Sequence, residues 1–211
     1  MPVFKNPGQV APEWCELRSY DLVQLAPGER RVFERAGTKE KLVVAEGECT
    51  VRIGDEPLHA AQGANLDLVA PGDRFVVEAG DSPVTLVRMC GNWGTETGES
   101  GVFHVEAVAD PSDEGDPVDY PKQTNFDSHF HDCDEYWVIV KGRGEAVSEG
   151  KRYTLESGDC LATGMGHHHD LPVVHEPMTG VYFETTLEGQ KRLGHLWDHS
   201  HGKAQPKPDR V

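Results

Sequence analysis

The sequence predicts an all-β chain built as two small β-barrels in tandem. Three observations predict it. Short β-branched or alternating runs recur between turn signals along most of the 211 residues. The 23 glycines and 14 prolines supply frequent turns and leave little room for long helices. One residue pattern also occurs twice, at a fixed offset of 95 positions.

Taken in order, strands are expected at residues 21–25, 31–34, 42–45, 50–53, 66–69, 75–78 and 84–89 of the first half. In the second half they are expected at 102–108, 136–140, 144–147, 153–155, 160–162, 173–175 and 181–187. Residues 188–199 form the one helix the pattern allows, and the polar tail 202–211 is expected to fray. The stretch 91–125 is rich in glycine, then in acidic residues and proline, and reads as a connecting segment. The expected division is therefore 1–90, 91–125, 126–187 and 188–211.

The repeat is specific. Glu40, Gly47 and Gly63 recur as Glu135, Gly142 and Gly158. Val43, Val44 and Leu66 recur as Val138, Ile139 and Leu161. Six matches in one register imply two copies of one β unit.

Composition narrows the function. There are 20 Lys and Arg against 36 Asp and Glu, a formal charge of −16. Such a surface repels phosphate backbones and anionic lipid, so neither nucleic acid nor a membrane is an expected partner. The five cysteines are an odd number without a C-x-x-C pair, which suits a reducing compartment. No apolar signal core opens the chain and no run approaches the ~20 apolar residues of a membrane helix. A cytoplasmic protein is expected.

Nine of the eleven histidines lie at or after position 129, which directs attention to the second half. His129 and His131 are two apart and share a strand face. Glu135 has the same parity, and His167, His168 and His169 follow the turn Gly164-Met-Gly166. Three imidazoles and a carboxylate suit Fe, Mn, Co, Ni, Cu or Zn. A hydrogen-bonded core histidine cluster is the alternative.

The stretch His129-x-His131-x(3)-Glu135-x(6)-Gly142 resembles the first motif of the cupin family at every defined position. Fifteen residues later, Gly158-x(5)-Gly164-x-Gly166-x(2)-His169 resembles the second motif, with Gly164 where the family prefers proline. With the repeat, the chain resembles a bicupin, two jelly-roll barrels in one chain with one intact, C-terminal metal motif. The resemblance implies that His129, His131, Glu135 and His169 are metal ligands. His167 and His168 compete for the last place; spacing from Gly166 selects His169, whose strand parity His167 shares. It implies one divalent transition metal, Fe or Mn in first place.

At the offset of 95, the first copy holds Glu34, Ala36, Glu40 and Arg74. That set lacks nitrogen ligands, so a structural, metal-free barrel is expected there. Arg74 is expected to pair with Glu34 or Glu40.

Around the ligands, Trp137 shares the parity of Glu135 and is expected in the pocket. Tyr182 and Glu184 share one face of their strand, opposite Val181, Phe183 and Thr185, and the sequence leaves open which face is inward. Glu184 is a candidate general base, and Glu135 can act as base as well as ligand. His195 and His199, four apart, could share a helix face, and Cys133 would be reactive if its thiolate were favoured.

An open three-histidine, one-glutamate set suits catalysis on a small substrate with adjacent oxygens, such as an enediol, hydroxy-ketone or sugar acid. The cupin resemblance implies dioxygenases, sugar isomerases and epimerases, decarboxylases or lyases. Dioxygenase-type chemistry is the first expectation, isomerase or lyase the second, and a non-catalytic metal- and sugar-binding module the third. A homodimer is compatible with exposed strand edges.

Overall fold

The structure, a computed structural model, describes residues 2–5, 8–68, 74–112 and 114–211. The strands of the first half are β1 Val3–Lys5, β2 Leu17–Leu25, β3 Arg30–Glu34, β4 Lys39–Glu46, β5 Glu48–Ile53, β6 Glu56–Ala61, β7 Asn65–Asp67, β8 Arg74–Ala79 and β9 Val84–Gly91. Those of the second half are β10 Ser100–Val105, β11 Glu135–Ser148, β12 Lys151–Glu156, β13 Asp159–Thr163 and β14 His169–Glu184, followed by the helix α1 Asp198–His201.

They form three sheets of order β2-β9-β4-β7, β3-β8-β5-β6 and β1-β13-β11-β14-β10, with β12 on the other end of β11. The chain is nearly all β, and among the described residues no sheet closes on itself into a barrel. β1, from the N-terminus, pairs with β13 of the second half.

Alternation explains the placement of the core. In β4, Leu42 and Val44 face the interior of the first half, while Val43 and Ala45 face outward. In β11, Trp137 and Ile139 face the interior of the second half, while Tyr136, Val138 and Val140 face outward. The two outward faces meet, with Tyr20, Val87, Met89, Val181 and Phe183, in a shared central core. Both strands are buried on two sides, so they read as continuous apolar runs. Glu40 and Glu135 share the parity of Leu42 and Trp137, which turns each carboxylate into its own half.

The repeat is physical as well as textual. The Gly63 N–H donates to the Val44 carbonyl at 2.9 Å, and the Gly158 N–H donates to the Ile139 carbonyl at 2.9 Å, each donor and acceptor 95 residues on. A Cβ on Gly47 would lie 2.4 Å from the Pro83 carbonyl, and one on Gly142 would lie 2.2 Å from that of Pro177. Both glycines have positive φ, +80° and +87°, so each is required twice over. In the second half this turn is a bulged bend within continuous strands. The strands expected at 136–140 and 144–147 are therefore one strand, β11, and those at 173–175 and 181–187 fall largely in β14.

Other expectations are corrected. The helix expected at 188–199 is reduced to Asp198–His201. Upstream, N–H groups serve other acceptors: Glu188 donates to the Asp132 carbonyl, Arg192 to the Asp132 carboxylate and Leu196 to the Phe130 carbonyl. The tail expected to fray is docked, with the Lys207 N–H on the Met165 carbonyl and Arg210 Nη1 2.7 Å from Asp134. β1 and β6 were not expected; the strand expected at 102–108 is β10, which falls inside the segment 91–125. Of the strand expected at 66–69, residues 65–67 form β7, and Val69 lies outside the described residues.

Candidate metal centre

The site forms where the chain enters β11. His129 and His169 make an antiparallel bridge, each N–H donating to the other's carbonyl at 3.2 and 2.9 Å. His131 lies two residues along, and Glu135 opens β11 between β13 and β14. All four side chains are buried, and one donor atom from each lies within 4.8 Å of the others.

The three imidazoles are oriented by backbone carbonyls. The Nδ1 atom of His129 donates to Asp127 O at 3.0 Å, that of His131 to Gly194 O at 2.9 Å, and that of His169 to His167 O at 3.1 Å. A carbonyl only accepts, so each ring carries a proton on Nδ1 and turns Nε2 inward. All three Nε2 atoms and Glu135 Oε2 are buried without a hydrogen bond. Glu135 Oε2 lies 2.8 Å from His169 Nε2 and 3.5 Å from His131 Nε2. Four orphaned, converging donors fit a transition-metal ion, because leaving them unmet is costly and an ion meets all four.

The electrostatics agree. Burial, with His169 and His131 nearby, pushes His129 down to about 3. Burial also acts to lower His131, but the carboxylates of Glu135 and Glu184 outweigh it and lift the ring to about 9. Burial opposes the charge on Glu135 too, yet His131 and His169 hold its carboxyl well below the usual range. The buried carboxylate requires a positive charge beside it.

Trp137 packs its ring 5.3 Å from that of His169, with Phe126 and Phe103 behind it at 5.1 and 5.6 Å. The two phenylalanines were not anticipated, because nothing in the local pattern links 103 and 126 to the ligands. Tyr182 lies opposite Trp137 in the sheet and Glu184 opposite Glu135, so this is the inward face of β14. Glu184 Oε1 lies 3.5 Å from His131 Nδ1, and burial pushes its carboxyl upward.

Other candidates lie elsewhere. His167 turns its Nε2 to the Lys207 carbonyl at 2.9 Å, toward the tail rather than the cluster. Cys133 is buried among Glu184, Glu135, Asp134 and Asp132, and burial followed by these charges drives its thiol strongly upward, so no thiolate is favoured. His195 and His199 do not share a helix face: His195 stacks on His129 at 3.7 Å and bonds Asp127, while His199 bonds Asp116. Asp127, missed in the sequence, also accepts the Trp197 Nε1–H at 2.7 Å. The glycine at 164 has a local reason, since a Cβ there would lie 2.4 Å from the Arg210 carbonyl of the docked tail.

In the first half, Arg74 pairs with Glu34 at 2.9 Å on the surface. The buried partner of Glu40 is Arg88, through Nε at 3.0 Å and Nη2 at 2.8 Å. Arg88 lies against the stacked rings of Phe33 and Phe75, 5.5 and 5.3 Å from their centroids.

No family model matches the chain. It is 44% identical, over all 211 of its residues and 97% of the relative, to the uncharacterized protein y4oW of Sinorhizobium fredii. Among solved structures it resembles AerE from Microcystis aeruginosa, with a TM-score of 0.53 and 16% identity over 80% of this chain and 87% of that one. An IolB-like protein from Salmonella typhimurium gives 0.52 and 13% over 86% and 88%. A variant of Bacillus subtilis oxalate decarboxylase gives 0.53 and 10% over 84% and 70%. The chain belongs to the same family as y4oW, and its fold is of the cupin type.

Proposed function

We propose that His129, His131, Glu135 and His169 bind one divalent transition metal in the second of two cupin units, and that the protein is a metal-dependent enzyme acting on a small oxygen-rich molecule. The observation that carries this is the four buried donor atoms, turned to one point and left without hydrogen bonds. The repeated turn geometry supports the bicupin reading. Four protein ligands leave one or two positions open on an ion that takes five or six. When bound, the metal supplies Lewis acidity toward adjacent oxygens of an enediol, hydroxy-ketone or sugar acid and, if it is Fe(II), access to dioxygen. Oxalate decarboxylase, with its Mn(II) centres, is a precedent for a metal in this fold.

The chain's own groups divide the remaining work. The carbonyls of Asp127, Gly194 and His167 hold the three imidazoles in one tautomer. Trp137, Phe103 and Phe126 form an aromatic wall that excludes water from one side. Glu184 is a buried carboxyl whose Oε1 lies 3.5 Å from the outward-turned Nδ1 of His131, where it steadies that ring. Tyr182 shares the face of Trp137 and packs with the aromatic wall.

Dioxygenase-type chemistry is our first reading. Protein loaded with Fe(II), Mn(II), Ni(II) or Zn(II) is assayed on hydroxy-ketones, sugar acids and phenolic enols, with and without oxygen. Oxygen uptake coupled to substrate loss supports it. Turnover under strict anaerobiosis moves the reading to an isomerase or lyase. Sugar binding with no turnover by any loaded form reduces it to a binding module.

A further inference from the structure

We propose a second divalent-metal site, of a kind suited to zinc, formed by Asp116, His168 and Asp198, with His199 holding Asp116 in place. It goes beyond the centre described above and does not depend on it. Three parts of the chain converge there: Asp116 from the segment before β11, His168 from the turn before His169, and Asp198 and His199 from α1. Donor atoms of Asp116, His168 and Asp198 lie within 4.8 Å of one another. His168 Nε2 is 2.9 Å from Asp116 Oδ2 and 3.7 Å from Asp198 Oδ1, and His199 Nδ1 is 2.8 Å from Asp116 Oδ1.

Asp116 is 7% exposed and is held in place by the backbone N–H groups of Asp198 at 2.7 Å and His199 at 3.3 Å. Without an ion, both imidazoles donate to this one carboxylate. A dication takes the place of the His168 proton, which moves to Nδ1 and leaves the Nε2 lone pair to the ion, while His199 keeps its bond to Asp116. One imidazole and two carboxylates, with water completing a tetrahedron, make a donor set of the kind zinc takes. The His168 Nε2 spacings of 2.9 and 3.7 Å to the two carboxylates bracket the ~3.4 Å expected between donors about 2.1 Å from a common ion. A cavity of about 560 Å³, lined by Asp116, His168 and Asp198 among others, gives an ion access from solvent. The bound ion ties α1 to the turn that carries His169.

The test is calorimetric titration with Zn(II) of three untagged, metal-stripped proteins, with circular dichroism confirming each fold: wild type, the His129→Ala/His131→Ala double variant, and Asp198→Ala, which removes one ligand of the surface site. We expect two equivalents for wild type and one for each variant. Should the buried centre not bind metal, wild type and the double variant each take up one equivalent and Asp198→Ala none, which still supports the surface site. Uptake by Asp198→Ala equal to wild type, or none by the folded double variant, overturns it.

Discussion

The Arg88 guanidinium lies 2.8 Å from the Glu40 carboxylate, and Glu40 stands at the position that recurs 95 residues later as Glu135. The same buried acid therefore has two answers to its charge. In the first half an arginine, set against two stacked aromatic rings, neutralises it. In the second, three imidazoles surround it, and the His131 ring, lifted to about 9, carries the balancing charge that a bound ion would replace.

Breaking the buried pair strands a charge. Arg88→Ala is expected to destabilise the protein by about 3–5 kcal/mol. Arg74→Ala, which removes a surface partner of Glu34, is expected to cost under about 1 kcal/mol. Urea unfolding of the two variants checks the ranking, and equal losses would contradict the assignment of Arg88.

His129→Ala, His131→Ala and His169→Ala should each release the metal of the buried centre, since each removes one Nε2 donor. Glu135→Gln keeps the shape and removes the charge. It is expected to bind metal at least about tenfold more weakly, measured by competition with a chelating dye. His167→Ala, whose ring faces Lys207, should leave that affinity within about threefold of wild type; a larger loss would place His167 among the ligands.

The His131 ring, lifted to about 9 without metal, carries its proton at pH 7. Metal binding must displace that proton, so uptake at pH 7 should release about one proton per ion. Affinity should fall about tenfold for each pH unit below 9, as protons compete for the ring. Titration in buffers of different ionisation enthalpy measures the release. No release would mean that His131 is already neutral.

Asp134 is buried, and accepts from Arg210 at 2.7 Å and from the Met165 N–H at 2.8 Å. Arg210→Ala leaves that carboxylate without its cation beside Glu135. A stability loss of about 1–3 kcal/mol is expected. The melting temperature of this variant against wild type checks it, and an unchanged value would show that the tail only rests on the surface.

The ligand cluster was legible because each part is local: strand parity joins His129 to His131, and a short turn presents His169. The pairing of Glu40 was not, because β9 brings Arg88 to it from 48 residues away, and charge alone does not distinguish Arg88 from Arg74. The expected helix at 188–199 failed for a related reason. Its backbone donors are claimed by Phe130 and Asp132, which no window of local sequence contains. Asp127 and the wall of Phe103 and Phe126 were missed because their roles exist only once β10 and β11 flank β14.

The central claim is a metal ion held by His129, His131, Glu135 and His169. Anomalous diffraction at the absorption edge of the metal bound by the untagged protein tests it most directly. The account predicts a peak about 2.0–2.3 Å from the three Nε2 atoms and from a Glu135 carboxylate oxygen. A crystal of protein carrying a full equivalent of metal, with no peak among those four residues, would contradict it.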